Sequence, residues 1–449
     1  MRQQIKIYMQ APQKTLRQKI FSGTAWTLVG MGTSHLLRFG KSLLLTRLLL
    51  PDVYGTMAIV WSVLFALGML SDAGLQAAAL RHKDANDSDF MNTIWTMKIF
   101  RGLILFVITL FLAYPVSVFY SMPDLSWLIP IAGFSFMLEG FSSTKIYTYQ
   151  RNMVFGRLTL LEMGNEFIGT IVVIVWAYLQ PGVGALIGGA MVNAVIHLTY
   201  SHLLVPGQRN SLRWKYEEVQ DIFNFGKWIL LSSIVYLIYS QGDRMLLGKL
   251  ATPSELGVYS IAVMLSEVSS GVIIKINYNV VYPALNSIIL GDRKKLSSVF
   301  YKTRLLTDVL ITIPISILLV NAEYVIGMLY NSKYHEAGWM LKFLCIRLLM
   351  IASLNSTEHC LLALGKPKYS VAQNISRAIV MVVGTSIGWQ IAGFEGFVLM
   401  VAMTEVPVLI VLWYGLIKNG IFNFRLEART ALAIIVGLTL GSIIHWIIL

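Results

Sequence analysis

Ionisable side chains lie inside the long apolar runs of this sequence, and they are the residues with chemistry to offer. Arg38 and Lys41 fall late in the first run, and Asp243 and Arg244 at the matching place in the seventh. Glu267 and Lys275 share the eighth, while Asp308, Arg347, Arg377 and Glu405 occupy the ninth to twelfth. Glu139, Glu162 and Glu166 belong to the fourth and fifth. A charge at bilayer depth is costly and therefore faces a cavity or an opposite charge. Arg38, Lys41, Arg244, Lys275 and Arg347 are the candidate binders of an anionic group. A guanidinium grips phosphate oxygens in pairs, and an ammonium acts as a compact point charge. Asp308, Glu267 and Glu405 are candidates for a coupling ion, H+ or Na+, because a carboxyl kept dry can exchange a proton near neutral pH. Asp243 adjoins Arg244 and is placed to balance its charge. Plain pairing between helices competes with each of these uses. Covalent and metal chemistry find no support: there is no H-E-x-x-H, no Cys/His cluster, no Walker A loop and no dinucleotide fingerprint. The two cysteines, Cys345 and Cys360, lack metal-ligand spacing.

The elements that must position these groups are membrane helices. Of 449 residues, 56% are hydrophobic and 13% charged, about half the charged share of a soluble domain. Apolar runs long enough to span a bilayer follow one another at roughly 20–48, 54–80, 92–114, 124–147, 157–179, 182–204, 224–248, 255–281, 300–321, 337–363, 368–391, 393–417 and 429–448. They are too long and continuous for barrel strands. The predicted fold is an all-α polytopic membrane protein.

Lys and Arg alternate along the connections. They cluster before the first run, at Arg81 and Lys83, at Lys145, Arg151 and Arg157, at Arg209, Arg213 and Lys215, at 293–295, at Lys366 and Lys368, and from Lys418 to Arg429. The intervening connections P-D-V-Y-G, Q-P-G-V-G and A-G-F-E-G carry none. The positive-inside rule puts the basic loops and the N-terminus in the cytoplasm. The net charge of +13 is thus a topology signal, with attraction to anionic lipid second, and no nucleic-acid partner is expected.

The first apolar run stops at Pro51 and turns through Asp52 to Gly55. Proline fixes φ and lacks an N–H, so it closes one helix and can open the next. A shift of 202 residues lays Pro51 on Pro253, Gly55 on Gly257, Gly40 on Gly242, Trp26 on Trp228 and Phe21 on Phe223, over about 35 residues without a gap. Two parallel repeats follow. The expected organisation is a basic cytoplasmic tail (1–19), an N-lobe of six helices (20–204), a cytoplasmic linker (205–223) read as a short amphipathic surface helix, a C-lobe of six helices (224–417), and a cytoplasmic loop with an extra helix (418–449). Pro51, Gly55, Pro253 and Gly257 are structural turns, and the charges before each fall at one depth.

The stretch R-L-L-L-P-D-V-Y-G-T (47–56) resembles the R-x-L-x-P-x-x-Y-G pattern of the polysaccharide transporter (Wzx-type flippase) family, a branch of the multidrug/oligosaccharidyl-lipid/polysaccharide (MOP) exporter superfamily. D-A-G-L-Q-A-A-A-L-R (72–81), Y-Q-R-N-M-V-F-G-R-L (149–158), L-G-V-Y-S-I-A (256–262) and A-L-G-K-P-K (363–368) support it in order and spacing, over about residues 15–417. The resemblance implies two six-helix lobes around a central cavity. The run 429–448 lies outside both repeats: if it spans, it is a thirteenth helix after twelve core helices, and if it only lies on the membrane, the core is a twelve-helix bundle. Lipid II flippases carry two extra C-terminal helices, and this chain has room for one. It also implies a bacterial inner-membrane flippase, not an enzyme, for polyprenyl-diphosphate-linked oligosaccharide (an O-antigen, capsule or exopolysaccharide unit), acting by alternating access. Membrane lipids, a polysaccharide polymerase and chain-length machinery are the implied partners. On this reading Arg38, Lys41, Arg244, Lys275 and Arg347 engage the diphosphate. A multidrug or small-molecule cation exporter of the superfamily would want a carboxylate-dominated cavity. A non-transporting scaffold of a glycan-assembly complex would not need charges at matched depths. A glycan transferase would want longer outer loops.

Overall fold

The long apolar runs become helices for the expected reason: a backbone without water must satisfy its own N–H and C=O groups. The computed structural model describes residues 16–71, 74–81, 87–291 and 296–448, which contain helices and no strand. The N-terminal part of the basic tail (1–15), Lys83 and the basic triplet 293–295 lie outside the described residues. In chain order the helices are α1 (Leu16–Leu48), α2 (Pro51–Leu70), α3 (Leu75–Arg81), α4 (Ser88–Tyr120), α5 (Leu125–Phe141), α6 (Lys145–Arg151), α7 (Phe155–Leu179) and α8 (Val183–Leu203). Next come α9 (Tyr216–Leu250), α10 (from Pro253), α11 (from Leu296 to Leu329) and α12 (Ala337–Ala363). The helical stretch Lys368–Lys418 breaks at Ala392 and Gly393, which leave helical geometry with Gly393 at φ 58°, so it divides into α13 (368–391) and α14 (394–418). Finally α15 spans Phe424–Ile448. Among the described residues nine helical stretches are long and apolar enough to cross a membrane, or ten if the bent pair α5–α6 is one span. The all-α polytopic expectation is borne out.

Three local features depart from the runs as read. The run expected at 54–80 ends at Leu70, and α3 restarts after Gly74, whose φ of 68° suits glycine. The surface helix expected within 205–223 is absent as a separate element: the chain is irregular to Lys215, and residues from Tyr216 run unbroken to Leu250. Helices α10, α11 and α13 each contain one π-helical turn, at Asn277–Val281, Asp308–Thr312 and Val380–Gly384.

The chain divides into two compact units. One takes in residues up to Leu45, Ser71–Val116 and Asp124–Leu230. In it α4 crosses α5 closely at Gly102 and Gly140, and α7 lies along α8, where Gly169 and Gly189 allow close approach. The other comprises Thr46–Leu70, Ser117–Pro123 and Leu231–Leu449. Its centre is α12, which packs against α10, α11, α13 and α14 and is mostly buried. Here α2 lies against α10; Pro51, Gly55, Pro253 and Gly257, expected as turn residues between helices, instead lie in the first helical turns of α2 and α10, and these ends meet reciprocally. A Cβ on Gly55 would overlap the carbonyl oxygen of Pro253, and a Cβ on Gly257 that of Pro51. The turns that the sequence sets in parallel thus touch, glycine to proline, in both directions. α15 lies along α11, its Gly437 and Gly441 close to Ile313, Ser316, Ile317 and Val320.

Candidate functional site

In the first unit Arg38 and Lys41 stand three residues apart on α1, hence on one face. Arg38 Nε donates to Glu166 Oε1 on α7 at 2.9 Å, and Lys41 is within electrostatic reach of both groups. The Arg38 side chain is 64% exposed even while paired. Two cations share one carboxylate here, so the set carries an excess positive charge. The same unit holds a second cluster that sequence spacing did not reveal. Lys98 on α4 donates to Ser142 Oγ at 2.8 Å and stands 3.7 Å from Glu139, whose other oxygen is 3.2 Å from His197 Nδ1. Lys98 and Glu139 line a cavity of about 200 Å³ together with Gln76, Arg101 and Tyr147.

The second unit gathers five of the proposed residues. On α9, Asp243 Oδ1 accepts the backbone N–H of Arg244 at 2.8 Å, and Asp243 Oδ2 accepts from Tyr259 Oη at 2.7 Å. The Arg244 guanidinium turns the other way, giving Nη2 to Glu267 at 2.5 Å and Nη1 to Gln241 at 3.1 Å. Ser62 of α2 holds that Gln241 oxygen at 3.0 Å. Asp243 therefore balances Arg244 through space, while the direct ion pair is with Glu267, which is 59% exposed.

Glu405 is the fixed counter-ion. It ends a short 3₁₀ turn, Met403–Glu405, ahead of Pro407, whose missing N–H loosens the helix there. Only 1% of its side chain is exposed. Arg377 on α13 donates to it from Nε at 3.0 and 3.1 Å and from Nη2 at 2.8 Å. Arg347 Nε on α12 lies 3.8 Å from it, too far for a hydrogen bond, and that buried nitrogen has no hydrogen-bond partner. Arg377 also stacks over the Tyr239 ring at 5.7 Å, and Arg347 acts on Tyr259. Asp243, Arg244 and Glu267 thus form one bonded set with Tyr259 and Gln241, and Arg347 and Glu405 a second with Arg377, with Arg347 in electrostatic reach of Tyr259. Three guanidiniums face three carboxylates, and Arg347 is the least satisfied of them.

Two of the proposed residues stay apart. Lys275 has no ion-pair partner among the described residues, and Glu267, eight positions earlier, has chosen Arg244. Asp308 is buried on α11, its Oδ2 accepting from Thr430 of α15 at 2.8 Å. Tyr259 and Gln241 have no signal as site residues in the sequence, and Glu166 is marked there only as an intramembrane charge without a role. Tyr259 is one aromatic among many in the apolar runs, and only contact distances reveal its place.

A family model described as "Polysaccharide biosynthesis protein" matches residues 44–338. The chain belongs to that family. It is similar to the lipopolysaccharide biosynthesis protein WzxC of Escherichia coli, 20% identical over 405 residues, covering 90% of this chain and 82% of that one. The teichuronic acid biosynthesis protein TuaB of Bacillus subtilis is 24% identical over 373 residues, covering 78% and 73%. Among solved structures, the lipid II flippase MurJ in an inward closed conformation matches with a TM-score of 0.71 at 13% identity, covering 94% of this chain and 92% of MurJ. An inward-facing MATE-family multidrug transporter of the MOP superfamily matches at 0.64 and 15%, covering 86% and 95%. This member of the polysaccharide biosynthesis family is therefore a multi-pass membrane protein of the MOP fold.

Proposed function

We propose that the chain flips a polyprenyl-diphosphate-linked oligosaccharide across the bacterial inner membrane by alternating access. The observation that carries this reading is the guanidinium network of the second unit. Arg244 is held by an exposed carboxylate, and Arg347 by a carboxylate it does not quite reach. An incoming diphosphate can displace Glu267 from Arg244 and complete the coordination of Arg347 without stranding a charge. Glu405, buried between Arg377 and Arg347, keeps the network from collapsing when no substrate is bound. Arg38 and Lys41 offer a second cationic set, and Lys275 a lone ammonium. Each pairing costs less to exchange than a bare cation would cost to bury.

The finer assignments go with this reading: twelve core helices with α15 as a thirteenth, lobes at 20–204 and 224–417 joined by 205–223, a cytoplasmic N-terminus, and a polymerase and chain-length machinery as partners. Relatives named for lipopolysaccharide, teichuronic acid and succinoglycan biosynthesis support a glycan-linked cargo. Coupling to H+ or Na+ through Asp308, Glu267 or Glu405 completes it.

The test is flipping of a lipid-linked oligosaccharide by protein reconstituted in vesicles. A charge-assisted contact worth about 1.5–3 kcal/mol implies that Arg244→Ala lowers the initial rate by about tenfold or more, and Arg38→Ala similarly. Wild-type rates from correctly inserted Arg244→Ala and Arg38→Ala proteins overturn the assignment. Export of lipophilic cations in place of the glycan lipid identifies a drug exporter instead.

A further inference from the structure

Residues on α11 and α15 form a buried polar cluster that the diphosphate reading does not use. Arg304 Nη1 donates to Glu427 Oε1 at 2.6 Å, and both side chains are 3% exposed. Tyr301 Oη donates to the same oxygen at 3.1 Å, and Arg304 Nη2 bonds Ser353 of α12. One turn on, Asp308 accepts from Thr430 with Oδ2, while its Oδ1 is buried without a hydrogen-bond partner. Glu427 Oε2 and Thr312 Oγ1 are buried and unpartnered as well. Asp308 begins the π-helical turn that ends at Thr312, a distortion that recurs at functional sites.

We infer that Asp308 binds a proton and that the C-terminal helix α15 completes the site, which specifies the coupling ion of the reading above and rests on that reading for its link to transport. Charge counting favours it. The charged groups acting on Asp308 are Arg304 from its own helix and Glu427 from α15; α12 supplies the hydroxyls of Ser353 and Thr357. One guanidinium therefore faces two carboxylates in a site closed to water. With both carboxylates ionised the cluster carries an unbalanced negative charge, which a low-dielectric interior penalises heavily. A single proton removes it. Glu427 is ion-paired directly with Arg304 at 2.6 Å, whereas Asp308 has only the Thr430 hydroxyl bonded to it and no guanidinium, so the proton belongs on Asp308, whose Oδ1 is unpartnered. A metal cation suits the place poorly. It needs several oxygen ligands and would lie beside the Arg304 guanidinium, and no group of three His, Cys, Asp or Glu stands together among the described residues. The sequence-level alternatives are less available: Glu267 and Glu405 are both tied to arginines.

The site also explains why a helix outside both repeats is fastened so firmly. α15 brings Glu427 and Thr430, three residues apart and on one face, to Arg304 and Asp308, four apart on α11. The proton changes the charge at the seam between these helices. Movement of α15 against α11 and occupancy of Asp308 are thereby linked.

The deciding measurement is pH-difference infrared spectroscopy of the full chain in lipid bilayers, with no substrate present. One protonated-carboxyl stretch should titrate in the wild type, vanish in Asp308→Asn and shift in frequency in Thr430→Val, which removes the hydroxyl donating to Oδ2. An unchanged spectrum in Asp308→Asn overturns the site, and so does a band that survives there but disappears in Glu427→Gln. If Asp308→Asn does not fold, Thr430→Val decides alone, and an unshifted band overturns the proposal. In vesicles carrying the lipid-linked oligosaccharide, an imposed pH gradient should change the wild-type rate at least severalfold and leave Asp308→Asn unaffected. Equal gradient sensitivity in both proteins overturns the coupling. A titrating Asp308 in a protein that moves no glycan lipid overturns the transport reading and leaves the proton site standing.

Discussion

Glu405→Gln is expected to be the most damaging single-atom change in the second unit. The carboxylate is 1% exposed, receives three bonds from Arg377 and faces Arg347 at 3.8 Å. Gln keeps the shape and one acceptor but removes the charge that lets two guanidiniums stay buried. Breaking a buried pair by removing one partner costs about 3–5 kcal/mol. The thermal midpoint in detergent should fall by several degrees and folded material should drop. Arg347→Met and Arg377→Met with Glu405→Leu should cost less than Glu405→Gln alone, because the carboxylate and both of its guanidiniums are then removed together. The same variant separates two roles for Glu405. A carboxyl that works by taking up a coupling proton tolerates Gln, which imitates its neutral form. Full stability of Glu405→Gln would therefore move it from counter-ion to ion carrier.

Gly55→Ala and Gly257→Ala should each be nearly as severe, though alanine is the better helix former. The added methyl lands on the carbonyl oxygen of Pro253 or of Pro51. Overpacking usually costs about 1–3 kcal/mol. A backbone atom cannot rotate away as a side chain can, so these two belong at the upper end, about 3 kcal/mol. Folded yield and flipping should fall together. Gly32→Ala and Gly40→Ala on α1 are the controls, since nothing lies within 4 Å of a Cβ there. They should be neutral or gain up to about 1 kcal/mol of helix propensity. Equal behaviour of all four would remove the close contact as the cause.

Much of the architecture was legible because hydrophobic run length and lipid leave one solution. The Pro51 and Pro253 helix starts and the break near 392 were readable from proline and glycine. The ending of α2 at Leu70 was not: 54–80 reads as one apolar run, and the signal was a single Gly74 whose conformation only the fold reveals. The π-helical turns have no sequence mark. At the site, the sequence located the charges but not their partners. Asp243 is next to Arg244 in the chain, yet helical geometry points successive side chains about 100° apart, so Asp243 meets Tyr259 and Arg244 meets Glu267. Glu267 and Lys275 share a face by periodicity, and still the stronger partner came from another helix. Pairing between helices is a tertiary property, and the spacing within one helix does not contain it.

The reciprocal glycine contact has an evolutionary consequence. Where two side chains touch, a larger residue on one can be answered by a smaller residue on the other, and the positions drift as a pair. At positions 55 and 257 the opposing atom is a main-chain carbonyl of the other helix. No substitution makes a carbonyl smaller. Neither glycine has a compensating mutation available in the residue it touches, so relatives that keep this crossing should show two independently fixed glycines, not a covarying pair. Covariation methods would then be blind to this close contact between α2 and α10.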